Sequence, residues 1–150
     1  MRFQKKQIHL SNMMGFAVIA FLLLVTVTGC NPQLPDHMAK KSVPELILDT
    51  KNEVGTTRAQ AAVALGLKGA QAKEAVPALI KLLSDEKAYV QNRAMEALGK
   101  IGKDAIPGLL EAVKSGNEAT RFYAAHTLGK INHPKAQQAF MEWSQKEGKS

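Results

Sequence analysis

Few residues of this 150-residue chain have the type and spacing that chemistry requires. The single cysteine, Cys30, excludes an internal disulfide and a cysteine-based zinc site. His126 and His133 are separated by an expected chain break at Asn132, and neither has a carboxylate at a suitable spacing, whereas a metal site needs several convergent ligands. No phosphate-binding glycine loop or nucleophile elbow occurs. The sequence therefore predicts no catalytic residue, no metal and no cofactor, and a protein that is not an enzyme.

Cys30 follows a segment that is typical of a secretory signal. An apolar run fills residues 13–27, and two small or polar residues separate it from Cys30. The basic residues that precede the run are Arg2, Lys5 and Lys6. The alternative is a retained transmembrane helix, but fifteen residues at about 1.5 Å each fall short of a hydrocarbon core of roughly 30 Å. We therefore predict that residues 1–29 are a signal peptide.

The tetrapeptide Val27-Thr28-Gly29-Cys30 resembles the lipobox of bacterial lipoproteins. The resemblance implies cleavage after Gly29 and a diacylglyceryl group joined to the Cys30 thiol, and two or more acyl chains hold a protein to a membrane firmly. Asn31 favours the outer membrane by resemblance to enteric sorting rules. The expected location is the extracytoplasmic side of a bacterial membrane, while the choice between inner and outer membrane stays open.

The charge balance changes when this segment is removed. The whole chain carries 20 Lys and Arg against 13 Asp and Glu, but residues 30–150 keep 17 against 13. A surplus of that size, spread along the chain, is typical of a solvated surface and argues against a nucleic-acid partner. The stretch after Cys30 has two prolines, no apolar period and two adjacent lysines, which predicts a lipidated tether over residues 30–42.

Two kinds of segment recur along the rest of the chain at the same offsets. Residues 58–66 recur at 91–99, which lies 33 positions later, and at 121–129, which lies 30 positions after that. The second kind keeps both offsets and occupies residues 43–47, 76–80 and 106–110. Periods of about 20–50 residues are typical of solenoids and arrays.

Each unit is predicted to hold two helices. Apolar residues follow the i, i+3, i+4, i+7 spacing in the second segment, at Val76, Leu79, Ile80 and Leu83 and again at Ile106, Leu109, Leu110 and Val113. The first segment has a similar stripe at Val90, Ala94, Ala97, Leu98 and Ile101. A proline lies in the first turn of each second helix, where a backbone N–H would have no acceptor within the helix, so its absence costs nothing. We expect glycines to end the helices, at Gly66, Gly69, Gly99, Gly102 and Gly129.

The recurring Ala-Leu-Gly and Val-Pro-x-Leu cores resemble HEAT repeats of the short, phycobilisome-lyase-like kind over about residues 43–143. The resemblance implies an all-α fold, a short α-α superhelix (HEAT-like solenoid) of about three helical pairs at residues 43–147. The array begins on a lone second helix at Val43 and ends with a divergent helix from about Pro134. The family often pairs an acidic turn residue with an arginine of the first helix. Because Gln91 rather than an arginine follows Asp85, we expect the ladder of such pairs between neighbouring units to be incomplete.

Some relatives with this repeat are metal-dependent hydroxylases, which carry His-Glu pairs on successive first helices. At the matching register this chain has Ala59-Gln60, Asn92-Arg93 and Phe122-Tyr123, so that activity is not expected. Other relatives act on bilin chromophores. A metal- or chromophore-related accessory role of the lyase or hydroxylase type is therefore the alternative function.

Binding is the function that the sequence favours. Outward positions of the second helices carry mixed side chains, which indicate a polar peptide or protein partner or a plain solvated face: Glu45, Ala78, Lys81, Glu111 and Lys114. The aromatic residues of the last pair either cap the core or, through Tyr123 and Trp143, anchor a partner: Phe122, Tyr123, Phe140 and Trp143. We expect a membrane-anchored scaffold or adaptor of the bacterial envelope that binds through Lys81, Glu111, Lys114, Tyr123 and Trp143. Neither the partner nor the oligomeric state follows from the sequence.

Overall fold

The computed structural model describes residues 34–147, which hold eight α-helices. These are α1 (Asp36–Lys40), α2 (Val43–Asp49), α3 (Gly55–Lys68), α4 (Val76–Lys81), α5 (Ala88–Ile101), α6 (Ile106–Ser115), α7 (Glu118–Lys130) and α8 (Pro134–Glu147). Short 3₁₀ segments lie at Gly69–Ala75, Leu82–Ser84 and Gly102–Ala105. Within residues 34–147 there is no strand, and no helix is long and apolar enough to span a bilayer. The predicted signal peptide and Cys30 lie outside the described residues and stay predictions.

The helices form the predicted repeat. The first helices of successive units are α3, α5 and α7, the second helices are α4, α6 and α8, and α2 is the lone second helix at the start. Neighbouring first helices pack on each other, and among the second helices α4 packs on α6 and α6 packs on α8. The predicted fold class, an all-α HEAT-like superhelix, is confirmed.

The core runs without interruption from unit to unit. Leucines at equivalent positions of the first helices are fully buried at Leu65, Leu98 and Leu128, and those of the second helices are fully buried at Leu46, Leu79 and Leu109. Burying one such side chain stabilises the fold by about 1.5–3 kcal/mol. Because each unit supplies one leucine to each row, no unit buries its apolar face without its neighbours.

Prolines and two of the glycines set the helix limits. Pro44, Pro77 and Pro107 lie in the first turns of α2, α4 and α6, where a helix has no use for the missing N–H. Gly69 and Gly102 directly follow α3 and α5 with φ of +54° and +74°. Residues with a Cβ rarely adopt that conformation, so these two glycines end their helices as predicted.

The same prediction is wrong for Gly66, Gly99 and Gly129, which lie inside α3, α5 and α7. Gly66 permits close packing instead, because a Cβ there would lie 2.9 Å from the Cα of Ala97. A Cβ at Gly129 would lie 3.1 Å from the ring of Phe140. A Cβ at Gly99 would meet nothing within 4 Å, so packing does not explain that glycine.

The predicted tether over residues 30–42 is wrong from residue 34 onward. The helix α1 inserts Met38 into the core with 1% exposure, and Leu34 packs against the same core. Leu34 and Met38 are four residues apart, which is a helical apolar spacing that two flanking prolines and a lysine pair obscure in the sequence. The compact unit therefore begins at Leu34 rather than at Val43.

One buried ion pair joins two consecutive units. Arg58, in α3, donates from Nε at 2.7 Å and from Nη2 at 2.8 Å to the two carboxylate oxygens of Asp85, which precedes α5. The two side chains are 11% and 6% exposed. Because Arg58 reaches the turn that precedes α5, one such pair of arginine and acidic turn residue is present. The ladder is nevertheless incomplete, as predicted, since Ser115 holds the position of Asp85 in the next turn.

Lysines gather along one edge of the stack, where the first helices end and the second helices begin. We call this the basic edge and define it as residues 68–75, 100–105 and 130–135. It holds six lysines and two carboxylates. The opposite edge, residues 49–57, 84–89 and 114–118, holds three lysines and five carboxylates. The even spread of charge expected from the sequence is therefore wrong, because the repeat brings lysines of distant ranges to one side.

Candidate partner-binding site

The last helical pair carries a cluster of rings. Phe122 and His126 lie one turn apart on α7, with ring centroids 4.3 Å apart. Trp143 on α8 contacts both of them, at 5.9 Å from Phe122 and 5.5 Å from His126. Phe140 lies one turn before Trp143, 6.2 Å away and nearly parallel to it. The two helices are thus joined by their aromatic side chains, as the sequence predicts for this pair.

The cluster has an inner and an outer side. Phe140 and Tyr123 are half-buried and pack against the hydrophobic core, so they seal the end of the stack. Phe122 is 47% exposed. Trp143 is half-buried between the two sides. The rings therefore combine the two arrangements that the sequence left open, a cap on the inside and a free aromatic surface on the outside.

Trp143 carries a polar group without a partner. Its indole Nε1 is buried and has no hydrogen-bond acceptor among the described residues. Leaving a buried donor unpaired costs about 1–3 kcal/mol. An acceptor on a bound molecule would remove that cost if the indole turned to expose its N–H, which makes Trp143 a candidate recognition residue.

Two grooves meet at Trp143. The groove between α7 and α8 is lined by Arg121, Phe122, Tyr123 and Trp143, with Glu118 at its side. The groove between α6 and α8 is lined by Lys114, Arg121, Glu142 and Trp143, with Leu110 and Val113 as its apolar floor. Both therefore combine an apolar surface with the guanidinium of Arg121 and the indole of Trp143. A peptide has the apolar side chains and the carbonyl acceptors that this combination fits.

The structure brings together three of the five predicted partner-binding residues. Lys114 and Trp143 line one groove, and Tyr123 and Trp143 line the other. Lys81 and Glu111 are exposed on α4 and α6 and line neither groove. The repeat places them on outward positions, outside both grooves.

Glu45 is occupied by its own helix. Its carboxylate accepts from the backbone N–H of Ser42 at 2.7 Å and from the hydroxyl of Ser42 at 2.6 Å, which caps the start of α2. These bonds, the hydroxyl first, lower the pKa of Glu45. The residue therefore serves the fold at a position where the sequence indicated a partner-facing side chain.

Arg121 is a groove residue that sequence reasoning missed. It is half-buried, lines both grooves and donates from Nη1 to the carbonyl of Gly116 at 3.0 Å. That bond uses one of the five N–H donors of a guanidinium, which leaves others for a ligand. The signal was its register, because Arg121 holds the position of Arg58, whose guanidinium binds Asp85.

His126 and His133 both have partners within the fold. His126 stacks among Phe122, Phe140 and Trp143, as described above. His133 precedes α8 and its Nδ1 accepts from the backbone N–H of Lys135 at 3.3 Å. No group of three or more His, Cys, Asp or Glu side chains within residues 34–147 is arranged to hold a metal ion.

Comparison with known proteins agrees with the repeat architecture. The family described as HEAT repeats matches residues 44–115, which extend from α2 to the end of α6. The chain is also similar to "Bilin biosynthesis protein RpcF" of Synechococcus sp. (strain WH8020), with 29% identity over 103 residues. That match covers 69% of this chain and 43% of the relative, so the chain spans less than half of that protein's length. The helices α2 to α6 are accordingly HEAT-like repeats.

Proposed function

We propose that this protein is an exported bacterial lipoprotein whose HEAT-like domain binds a protein or peptide of the cell envelope, as an adaptor without catalytic activity. The signal segment and the lipobox-like Val27-Thr28-Gly29-Cys30 support the anchor. The HEAT-like stack supports the scaffold, since such arrays present extended surfaces for partners.

The observation that carries this proposal is the pair of grooves around Trp143. They offer an exposed ring at Phe122, a buried N–H at Trp143 and a guanidinium at Arg121. Tryptophan, tyrosine and arginine are the residues that most often dominate binding energy at interfaces. An extended segment with apolar side chains and a carboxylate or carbonyl acceptor matches all three groups.

The partner is tested by affinity purification of the full chain from crosslinked envelopes. Trp143→Phe keeps a ring and removes the N–H, and Lys114→Glu reverses a groove charge. We expect either change to reduce recovery of a specific partner at least tenfold, because each removes about 1.4 kcal/mol or more of interaction. Lys81→Glu is the matched control, since it makes the same charge change outside both grooves. Equal losses for Lys114→Glu and Lys81→Glu would refute the groove as the binding site.

The anchor is tested separately with labelled palmitate. We expect label in the full chain and none in Cys30→Ser, because only a thiol can form the thioether. Fractionation of the labelled protein then distinguishes the inner from the outer membrane, where Asn31 favours the outer one. Equal labelling of both chains would refute lipidation at Cys30.

The likeness to a bilin biosynthesis protein favours one second candidate, a chromophore-related accessory role. Bilins have flat conjugated rings and carboxylates, and the grooves offer aromatic side chains and Arg121. Trp143 is the single tryptophan of the chain, so its fluorescence reports on both grooves. Saturable quenching by biliverdin at one molecule per chain would favour this role, and unchanged fluorescence would refute it.

A further inference from the structure

The basic edge consists of lysines that have no anionic partner in the domain. Its six lysines are Lys68, Lys73, Lys100, Lys103, Lys130 and Lys135. All except Lys68 are exposed. None of the six side chains forms an ion pair or hydrogen bond within residues 34–147. Six cations on one side are therefore available to an external anion.

The contacts between units show why these lysines share an edge. Gly55 at the start of α3 lies beside Tyr89 at the start of α5, and Gly66 near the end of α3 lies beside Ala97. The two first helices are thus parallel, and α7 packs on α5 in the same register of the repeat. Neighbouring helices lie about 8–10 Å apart, so the three turns form a row about 20 Å long.

Helix stability accounts for most of the row but not for all of it. Lys68, Lys100 and Lys130 lie in the last turns of α3, α5 and α7, where a cation offsets the negative end of the helix dipole. The other three lie at the starts of the second helices: Lys73 and Lys103 precede α4 and α6 by three residues, and Lys135 is the second residue of α8. A cation at a helix start is unfavourable. Lys73 and Lys103 also lie in the last turns of the 3₁₀ segments Gly69–Ala75 and Gly102–Ala105, where a cation is favourable, so only Lys135 has no explanation in the stability of its own helix.

We propose that the basic edge lies on the anionic phospholipid headgroups of the membrane to which the chain is attached. Each lysine close to such a surface strengthens attachment about fivefold. Residues 68–75, 100–105 and 130–135 include no Phe, Tyr or Trp, which suits a field of headgroup charges better than a folded partner. The opposite edge has an excess of carboxylates, so the domain has one orientation of lowest energy on an anionic surface.

The entry point of the chain supports the same orientation, and this step rests on the proposed anchor. Residues 34–42 lead directly into the start of α2, and the second helices start at the basic edge. The proposed acylated Cys30 is four residues from Leu34, a reach of at most about 14 Å. An anchor that close holds the domain near the headgroups with the lysine side towards them.

Lysine labelling of the full chain in vesicles tests this surface. The chain is reconstituted in phosphatidylglycerol or phosphatidylcholine vesicles, treated with an amine-reactive reagent and analysed by mass spectrometry. We expect Lys73, Lys103 and Lys135 to react at least fivefold more slowly in the anionic vesicles. Two lysines of the opposite edge, Lys51 and Lys87, are the controls and should react equally in both. The protection should disappear at high salt, because salt screens exposed charges.

A pair of double variants separates charge on this edge from charge in general. Lys73→Gln with Lys103→Gln should shift the equilibrium away from the membrane-bound orientation about 25-fold and remove the protection of Lys135. Lys51→Gln with Lys87→Gln removes the same charge from the opposite edge and should leave Lys135 protected.

Three outcomes would overturn the proposal: equal labelling in the two kinds of vesicle, protection of both edges alike, or stronger protection of these lysines by duplex DNA than by anionic vesicles. Cys30→Ser is labelled in parallel. If wild-type Cys30 carries no acyl group but the edge is still protected, the anchor fails and the membrane surface stands. If Cys30 is acylated and the edge is unprotected, the anchor stands and the membrane surface fails.

Discussion

The ion pair between Arg58 and Asp85 gives the sharpest prediction for stability. Asp85→Asn keeps an oxygen for the N–H of Lys87 but removes the charge and one of two bonds to the guanidinium. Breaking a buried pair costs about 3–5 kcal/mol when the remaining charge is uncompensated. Arg58 retains the carbonyls of Asn52 and Glu53, each at 2.9 Å, so we expect a smaller loss of about 2–3 kcal/mol.

The loss should depend on pH in a defined direction. The hydrogen bond from Arg58, with a smaller contribution from the N–H of Lys87, lowers the pKa of Asp85 below its ordinary value of 3.8, although burial opposes this. The same bond raises the pKa of Arg58. A carboxylate with a lowered pKa stabilises the fold fully above its ordinary pKa and stops doing so as pH falls through the lowered value. The difference between wild type and Asp85→Asn should therefore be constant from pH 7 to about 5 and shrink below 3.8.

Urea unfolding followed by circular dichroism at several pH values measures both effects. The control is Asp36→Asn, which breaks an ion pair with Lys40 whose side chains are 81% and 75% exposed. Exposed pairs contribute about 0–1 kcal/mol, so this variant should unfold close to wild type. If Asp85→Asn is no less stable than Asp36→Asn, or if its loss does not shrink in acid, the link between units has no energetic role.

Two further pairs of substitutions test the packing. Gly66→Ala should destabilise the fold by about 1–3 kcal/mol, because its Cβ would lie 2.9 Å from the Cα of Ala97. Gly99→Ala lies in open space and should stabilise the fold by up to about 1 kcal/mol. Urea midpoints that move in the same direction for both variants would contradict this. Met38→Ala should cost about 2–5 kcal/mol if α1 belongs to the domain, while Met141→Ala, at a side chain 59% exposed, should leave the thermal midpoint nearly unchanged. Equal midpoints for the two methionine variants would instead support the predicted tether over residues 30–42.

The repeat made most of the fold predictable. Leu65, Leu98 and Leu128 share a register, as do Leu46, Leu79 and Leu109, and each buried row follows directly from those offsets. The helix starts at Pro77 and Pro107 were equally predictable, because proline is favoured in the first turn of a helix. What periodicity could not give was the role of a glycine inside a helix, since Gly66 and Gly99 look the same in sequence and only Gly66 faces a neighbouring backbone.

The candidate site was less predictable, because its parts meet only in three dimensions. The ring positions on α7 and α8 indicated that Tyr123 and Trp143 lie in one pair, but not that the indole N–H would be left without an acceptor. Arg58 pairs with Asp85 27 residues away, across two units, where reasoning within one turn could not find it. The basic edge was hidden for the same reason, since each turn contributes only two of its lysines.

Site-specific photocrosslinking in cells tests the proposed adaptor role most directly. A photoreactive residue replaces Phe122, which lines the groove between α7 and α8, or Lys51, which lies in the turn before α3 at the other end of the repeat. We predict one dominant crosslinked protein at position 122 that is absent at position 51 and is lost when Trp143→Phe is combined with the probe. No crosslink at position 122, or the same products at both positions, would contradict the proposed function.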